Sequence, residues 1–297
     1  MDQGFGDFTG LGCDEIMAWL KPKSVDEALK WMEEYRPKIV CGGTDLFVDW
    51  HSRKGLVNAE HWLDIQEISE LKQIQMTEEG LSLGAAVTAS QIWQDDKLDA
   101  FPSLRQAARI VGGWQVQNRA SIGGNVANAS PAADMVVPLA AARAVIRLSG
   151  VNGSRSLPIS DFILGPRQTA LAPDEMITSV LVPKECLHVP QIFMRHDQRG
   201  ATDISIVSVA VIAKSSGDQL EWARAAVGAA NAVPVILPEE QEALWQGVMD
   251  EDKLTRMSEL YAASSNPISD VRASAEYRRA MVKVFTARAA RQVLGLN

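Results

Sequence analysis

Three cysteines in 297 residues, Cys13, Cys41 and Cys186, are too few and too scattered for a disulfide framework. None stands in a CxxC pair, so the chain offers no cysteine set for zinc or an iron–sulfur cluster. The four histidines, His51, His61, His188 and His196, also lack metal-ligand spacing, so we expect reduced, partly buried thiols and no protein-bound metal. Basic charge is in deficit: 29 Lys plus Arg face 37 Asp plus Glu, a net charge of −8 with no long basic run. That balance argues against nucleic acid or an anionic membrane as partner. Long apolar runs are missing too, since stretches such as 204–213 (ISIVSVAVIA) are about half a bilayer span. The start MDQGFGDF has neither a basic end nor an apolar core, and the expected location is cytoplasmic.

What is present is a globular composition, 46% apolar and 22% charged, over a length that accommodates two cores. Ser24 to Glu27 reads as a capping box opening a helix over ALKWMEEY, and PKIVCGGTDL as a short strand running into two glycines. Strand patterns recur at 61–65 and 81–87, and Thr88 is placed to cap a short helix. A helix is expected over 102–111, broken by Gly112-Gly113, then another over 132–143 and strands over 144–148 and 176–182. KECLHVPQ reads as a linker, which divides the chain into 1–186, with subdomains about 1–75 and 76–186, and 187–297. Beyond it come strands at 203–213 and 220–227 and helices at about 250–263 and 274–294.

Two glycine pairs, Gly42-Gly43 and Gly123-Gly124, lack side chains that would keep an anion away from the backbone. The first is followed by Thr44 and Asp45; the second sits among Ser121, Asn125, Asn128 and Ser130, all able to bond phosphate or a polyol. One such pair is ordinary turn chemistry. Two, each beside an apolar segment, point to a large phosphorylated cofactor, yet neither follows the GxGxxG or GxxxxGK[ST] pattern.

IVCGGTDL (39–46) and NRASIGGNVANASPAADMVVPLAA (118–141) resemble the two FAD signatures of the flavoprotein subunits of molybdenum hydroxylases, the family of xanthine and carbon monoxide dehydrogenases. LAPDEMITSVLVP (171–183), IFMRHDQRGATDISIVSVAV (192–211) and ASAEYRRAMVKVFTARAARQ (273–292) resemble further segments of that family, in its order. The resemblance implies an α+β fold. Its first part is an FAD-binding domain of the p-cresol methylhydroxylase and vanillyl-alcohol oxidase type, made of two α+β subdomains, and its second a C-terminal α+β domain of sheet plus helices. It implies that Ile39, Val40, Cys41, Gly42, Gly43, Thr44, Asp45 and Leu46 wrap the FAD diphosphate, with Ala120, Ser121, Gly123, Gly124 and Asn125 closing on it. Asp134 falls at the ribityl chain, Val111 near the adenine, Met176 and Ile177 against the isoalloxazine. Arg195 stands where a flavin-facing lysine is common, and there it would place positive charge over the reduced flavin. Gln117 and Trp114 depart from the family pattern.

No residue stands out as a catalytic acid or nucleophile; His196 and Asp197 are neighbours that a strand would turn to opposite faces. The redox chemistry would belong to the cofactor. The resemblance implies a relay: electrons from a purine, another N-heterocycle or an aldehyde, oxidised at a molybdopterin-binding large subunit, cross the two-iron–two-sulfur clusters of a small subunit. They reach this chain's FAD, with NAD+ as acceptor. The alternatives are a self-contained FAD oxidase or reductase of the same fold, or a flavin-free scaffold subunit.

Overall fold

The computed structural model describes residues 18–52, 61–200 and 202–296, with backbone alone at 50–52. Cys13 and the opening segment lie outside the described residues. Strands β1 (Ala18–Leu20), β2 (Lys38–Val40) and β3 (His61–Asp64) form a small sheet in the order β1-β3-β2, both pairings parallel. Parallel strands need a crossover, and α1 (Val25–Tyr35) provides one between β1 and β2. Ser24 caps it by accepting the Glu27 N–H at 3.1 Å. The Glu27 carboxylate takes the Lys23 N–H at 2.6 Å instead of closing the expected box on Ser24. Ala28 and Met32 of α1 are buried with Leu63 and Ile65 in this subdomain's core. Helix α2 (Leu46–Ser52) follows the first glycine turn.

The second sheet is antiparallel. Its strands are β4 (Ile74–Met76), β5 (Gly80–Gly84), β6 (Val145–Gly150), β7 (Gly153–Pro158) and, after a separate hairpin of β8 (Ile163–Gly165) and β9 (Gln168–Thr169), β10 (Glu175–Pro183). They lie in the order β4-β5-β10-β6-β7. Helices α3 (Ala89–Gln94), α4 (Pro102–Arg109), α5 (Trp114–Gln117), α6 (Ile122–Asn128), α7 (Val136–Ala141) and α8 (Ile159–Phe162) complete this part. Thr88 closes a full capping box with Gln91. The helix expected over 132–143 shortens to α7 because Ser130 holds a turn: its hydroxyl accepts the Ala132 N–H at 3.3 Å and its carbonyl the Ala133 N–H at 3.0 Å.

The third sheet runs β11 (Gln191–His196), β12 (Val207–Ser216), β13 (Gln219–Gly228), β14 (Val235–Ile236), with β15 (Gly247–Val248) added to β13. The short α9 (Glu239–Glu242) precedes β15, and α10 (Glu251–Ala263) and α11 (Ala275–Leu294) follow it. The strand expected from 203 begins at Val207, because the Asp203 carboxylate holds a loop by accepting the N–H groups of Gln198 and Arg199 at 3.1 and 3.0 Å. Strand β12 is buried on both faces, which explains its continuous apolar run. Val207, Val209 and Val211 join the core under α10 and α11, while Ala210 and Ile212 join the large core of the preceding sheet. No helix among the described residues is long and apolar enough to cross a membrane.

Candidate functional site

The first glycine turn lies between the end of β2 and the start of α2. Gly43 has φ +71°, in the left-handed region that glycine enters at no steric cost, and a Cβ there would lie 2.3 Å from the Phe47 ring. The turn's carbonyls already feed the helix: Gly43 O accepts from Phe47 N at 3.1 Å and Asp45 O from Asp49 N at 2.9 Å. Its N–H groups are not used. Among the described residues no acceptor takes those of Gly42, Gly43, Thr44, Asp45 or Leu46. Five successive free donors on a glycine-containing turn suit an anion with several oxygens.

The second glycine pair behaves differently. Gly123 and Gly124 are not in a free turn but in the first turn of α6, capped by Ser121, whose hydroxyl accepts the Gly124 N–H at 3.1 Å. Ile122 N donates to Val87 O, Gly123 N to Ala85 O and Asn125 N to Ser121 O, each at 2.9 Å. The expected convergence of these amides on an anion is therefore not what the structure holds, because neighbouring carbonyls and the cap already occupy them. Gly123 is small for packing: a Cβ would lie 2.7 Å from Ala85 Cβ. Gly124 would meet only Ser121 Oγ.

The two segments touch through Gly42, where an added Cβ would fall 2.0 Å from the Arg119 carbonyl oxygen. Ser121 also hydrogen-bonds the Cys41 sulfur, whose thiol burial pushes up in pKa. Asn128 Nδ2 donates to Asp45 Oδ2 at 3.0 Å. Beside them Asn125 Oδ1 is buried without a partner. An unpartnered amide oxygen calls for a hydroxyl or N–H donor, which a ribityl or ribose group supplies and a phosphate does not. Free amides for a diphosphate next to an orphaned acceptor for a polyol are a donor set that fits FAD. Gly42 to Leu46 would hold the diphosphate and Asn125 a hydroxyl.

The remaining expected residues fall in three places. Ile39 and Val40 end β2, Ala120 is buried, and Val111 packs half-buried against the large core. Met176 and Ile177 are neighbours on β10 and face opposite ways, Met176 into the core of the first subdomain and Ile177 into the large core. They do not form one wall.

Asp134 and Arg195 do meet, with Nη1 2.9 Å from Oδ2, but the guanidinium also bonds Asp197 at 2.7 Å and the Ile110 carbonyl at 3.0 Å. Its side chain is 4% exposed. Ser205 Oγ donates to the other Asp134 oxygen at 2.6 Å, and burial raises the Asp134 pKa against these partners. Arg195 is thus enclosed by two carboxylates rather than presented as a free positive charge. The sequence points to Asp197 only as the neighbour of His196 and does not single out Ser205, although Asp197, two residues after Arg195, shares its face under a strand's period of two. His196 turns away and bonds Tyr277 OH at 2.9 Å, so no His–Asp pair forms. Gln117, the departure noted above, is buried and donates to Arg109 O at 2.8 Å, a structural role. Among the described residues no three His, Cys, Asp or Glu side chains are grouped to hold a metal ion. A cavity of about 280 Å³ between Ala140, Ile159, Ile163 and Val235 has no charged side chain in its lining.

Residues 14–185 match the family described as the FAD binding domain in molybdopterin dehydrogenase, and residues 193–293 the CO dehydrogenase flavoprotein C-terminal domain. The chain is 32% identical over 280 residues to the glyceraldehyde dehydrogenase medium chain of Sulfolobus acidocaldarius, covering 93% of this chain and 98% of that one. It is 28% identical to the xanthine dehydrogenase FAD-binding subunit of Escherichia coli O157:H7, over 84% of this chain and 86% of the relative. Among solved structures, reconstituted CO dehydrogenase from Oligotropha carboxidovorans matches with a TM-score of 0.89 at 25% identity, over 95% of this chain and 99% of that one.

Proposed function

Because the chain belongs to the family of FAD-binding medium subunits of molybdenum hydroxylases, an oxidoreductase family, we propose that it works as the electron-transfer subunit of such a complex. It receives electrons from two-iron–two-sulfur clusters of a small subunit, drawn from a substrate oxidised at a molybdopterin-binding large subunit. It passes them to NAD+. The substrate class is a purine, another N-heterocycle or an aldehyde. Bound FAD supplies the exchange between single electrons and electron pairs that such a relay needs. The chain's own residues bind and orient: Gly42 to Leu46 offer amides to the diphosphate, Asn125 accepts a hydroxyl, and the Asp134–Arg195–Asp197 group fixes the loop after β11 against the Ile110 carbonyl.

The observation that carries the reading is the ordered match of 14–185 and 193–293 to the two family domains, with the free amides of the first turn inside the first. The test begins with the purified chain, which is expected to be yellow and to release all its flavin on acid denaturation. Co-purified with its native partners, it is expected to support NAD+ reduction with one member of a panel of heterocycles and aldehydes. Oxidation of an organic substrate by the isolated chain at an enzymatic rate would replace the relay with a self-contained oxidase.

A further inference from the structure

Behind the first glycine turn the fold opens a cleft of about 330 Å³, whose lining includes Cys41, Lys72, Ser90, Gln91, Asn118 and Arg119. In a chain of net charge −8 this lining holds two cations and no carboxylate. Neither Lys72 nor Arg119 has an ion-pair or hydrogen-bond partner for its side chain among the described residues. The nearby carboxylate, Asp64, is buried, and its Oδ1 accepts from Gln66 N at 3.1 Å and Gln66 Nε2 at 3.0 Å.

The polar groups around the two cations are mostly left with donors. Gln91 Oε1 is used in the Thr88 box, accepting from Thr88 N at 2.9 Å, which leaves its amide N–H groups. Ser90 Oγ accepts from Gln94 at 2.8 Å, which leaves its O–H. The Asn118 side chain has no partner among the described residues and adds two more N–H groups. Both cations lie near enough to the Cys41 thiol to oppose the rise that its burial causes. A concave, donor-rich site with two free cations and no acidic wall suits a compact multiply charged anion.

We propose that this cleft binds a phosphoryl group, as free phosphate or on a small phosphomonoester, at a site separate from the cofactor's. The two sites draw on different groups. Gly42 packs on the Arg119 carbonyl, while the free amides belong to the turn running from Gly42 into α2. The same contact gives the anion a mechanical link to the turn, since Arg119 carries both the guanidinium and the carbonyl against which Gly42 rests.

The test uses the FAD-loaded chain at constant ionic strength and follows alkylation of Cys41 by iodoacetamide, resolved by peptide mass spectrometry. Millimolar inorganic phosphate is expected to slow the reaction saturably, and glycerol 3-phosphate is the second arm, which distinguishes a free ion from a phosphomonoester as the preferred ligand. Lys72→Ala and Arg119→Ala should each weaken this protection about tenfold or more, through loss of a charge-assisted contact. Both variants should retain wild-type flavin content. The proposal is overturned by an absence of saturable protection beyond a chloride control, or by protection that survives the double replacement. A loss of flavin in both variants would also overturn it, by assigning the cleft to the cofactor cradle, and would leave the FAD reading intact.

Discussion

The two glycine pairs look alike in sequence and differ in what their backbones do. At Gly42-Gly43 the N–H groups are left free through Leu46, and the left-handed Gly43 turns the chain into α2. At Gly123-Gly124 the amides are consumed by the Ala85 carbonyl and the Ser121 hydroxyl, and the glycines serve close packing inside a capped helix. The difference teaches that a glycine pair marks a close approach, and that only the hydrogen-bond account around it says whether a ligand or the protein is approaching.

Substitutions at the four glycines and at Asn125 can break this comparison. The largest effect is expected for Gly42→Ala, because its Cβ would sit 2.0 Å from a backbone oxygen that cannot swing aside. A loss of about 3 kcal/mol in stability and of all bound flavin should appear in denaturant titration and in the visible spectrum. Gly43→Val comes next: a β-branched residue at φ +71° and the Phe47 ring at 2.3 Å together should cost about 2 kcal/mol and empty the FAD site. Wild-type flavin retention in this variant would mean that the first turn does not hold the cofactor.

Asn125→Ala sharpens the comparison from the other side, since it removes an acceptor and leaves the first turn's amides in place. FAD affinity should fall by roughly fivefold, about 1 kcal/mol, with stability unchanged or slightly raised because the orphaned oxygen is gone. Isothermal titration reads the first quantity and thermal unfolding the second. Gly124→Ala should do least. Its Cβ meets only Ser121 Oγ at 2.9 Å, and alanine's helix propensity, better by about 1 kcal/mol, offsets the adjustment. FAD affinity within about threefold of wild type is the expected result, and a complete loss of flavin would restore an anion-binding role to the second pair.

Much of the fold was legible because local signals agreed with it. Thr88 and Gln91 sit three apart and close the box that their types suggest, and the long C-terminal pattern became α11 with Ser274 as its cap. The family resemblance supplied the identity of the cofactor. What could not be read was long-range pairing. Nothing local to SIGG says that Ala85 and Val87 will supply carbonyls to it, or that Ser121 will cap a helix through two poor helix formers. Likewise Arg195 suggested a free positive charge, but its neutralisation depends on Asp134, 61 positions away, and on Asp197. Met176 and Ile177 could have been separated earlier, because adjacent strand residues cannot line one face.

Amide hydrogen exchange, measured residue by residue with and without FAD, tests the central claim most directly. The account predicts that the amides of 42–46, free in the apoprotein, slow markedly when FAD binds. It predicts that those of 122–125, already bonded inside the protein, are slow in both states and change little. FAD-dependent slowing confined to 122–125, with 42–46 unaffected, would contradict it.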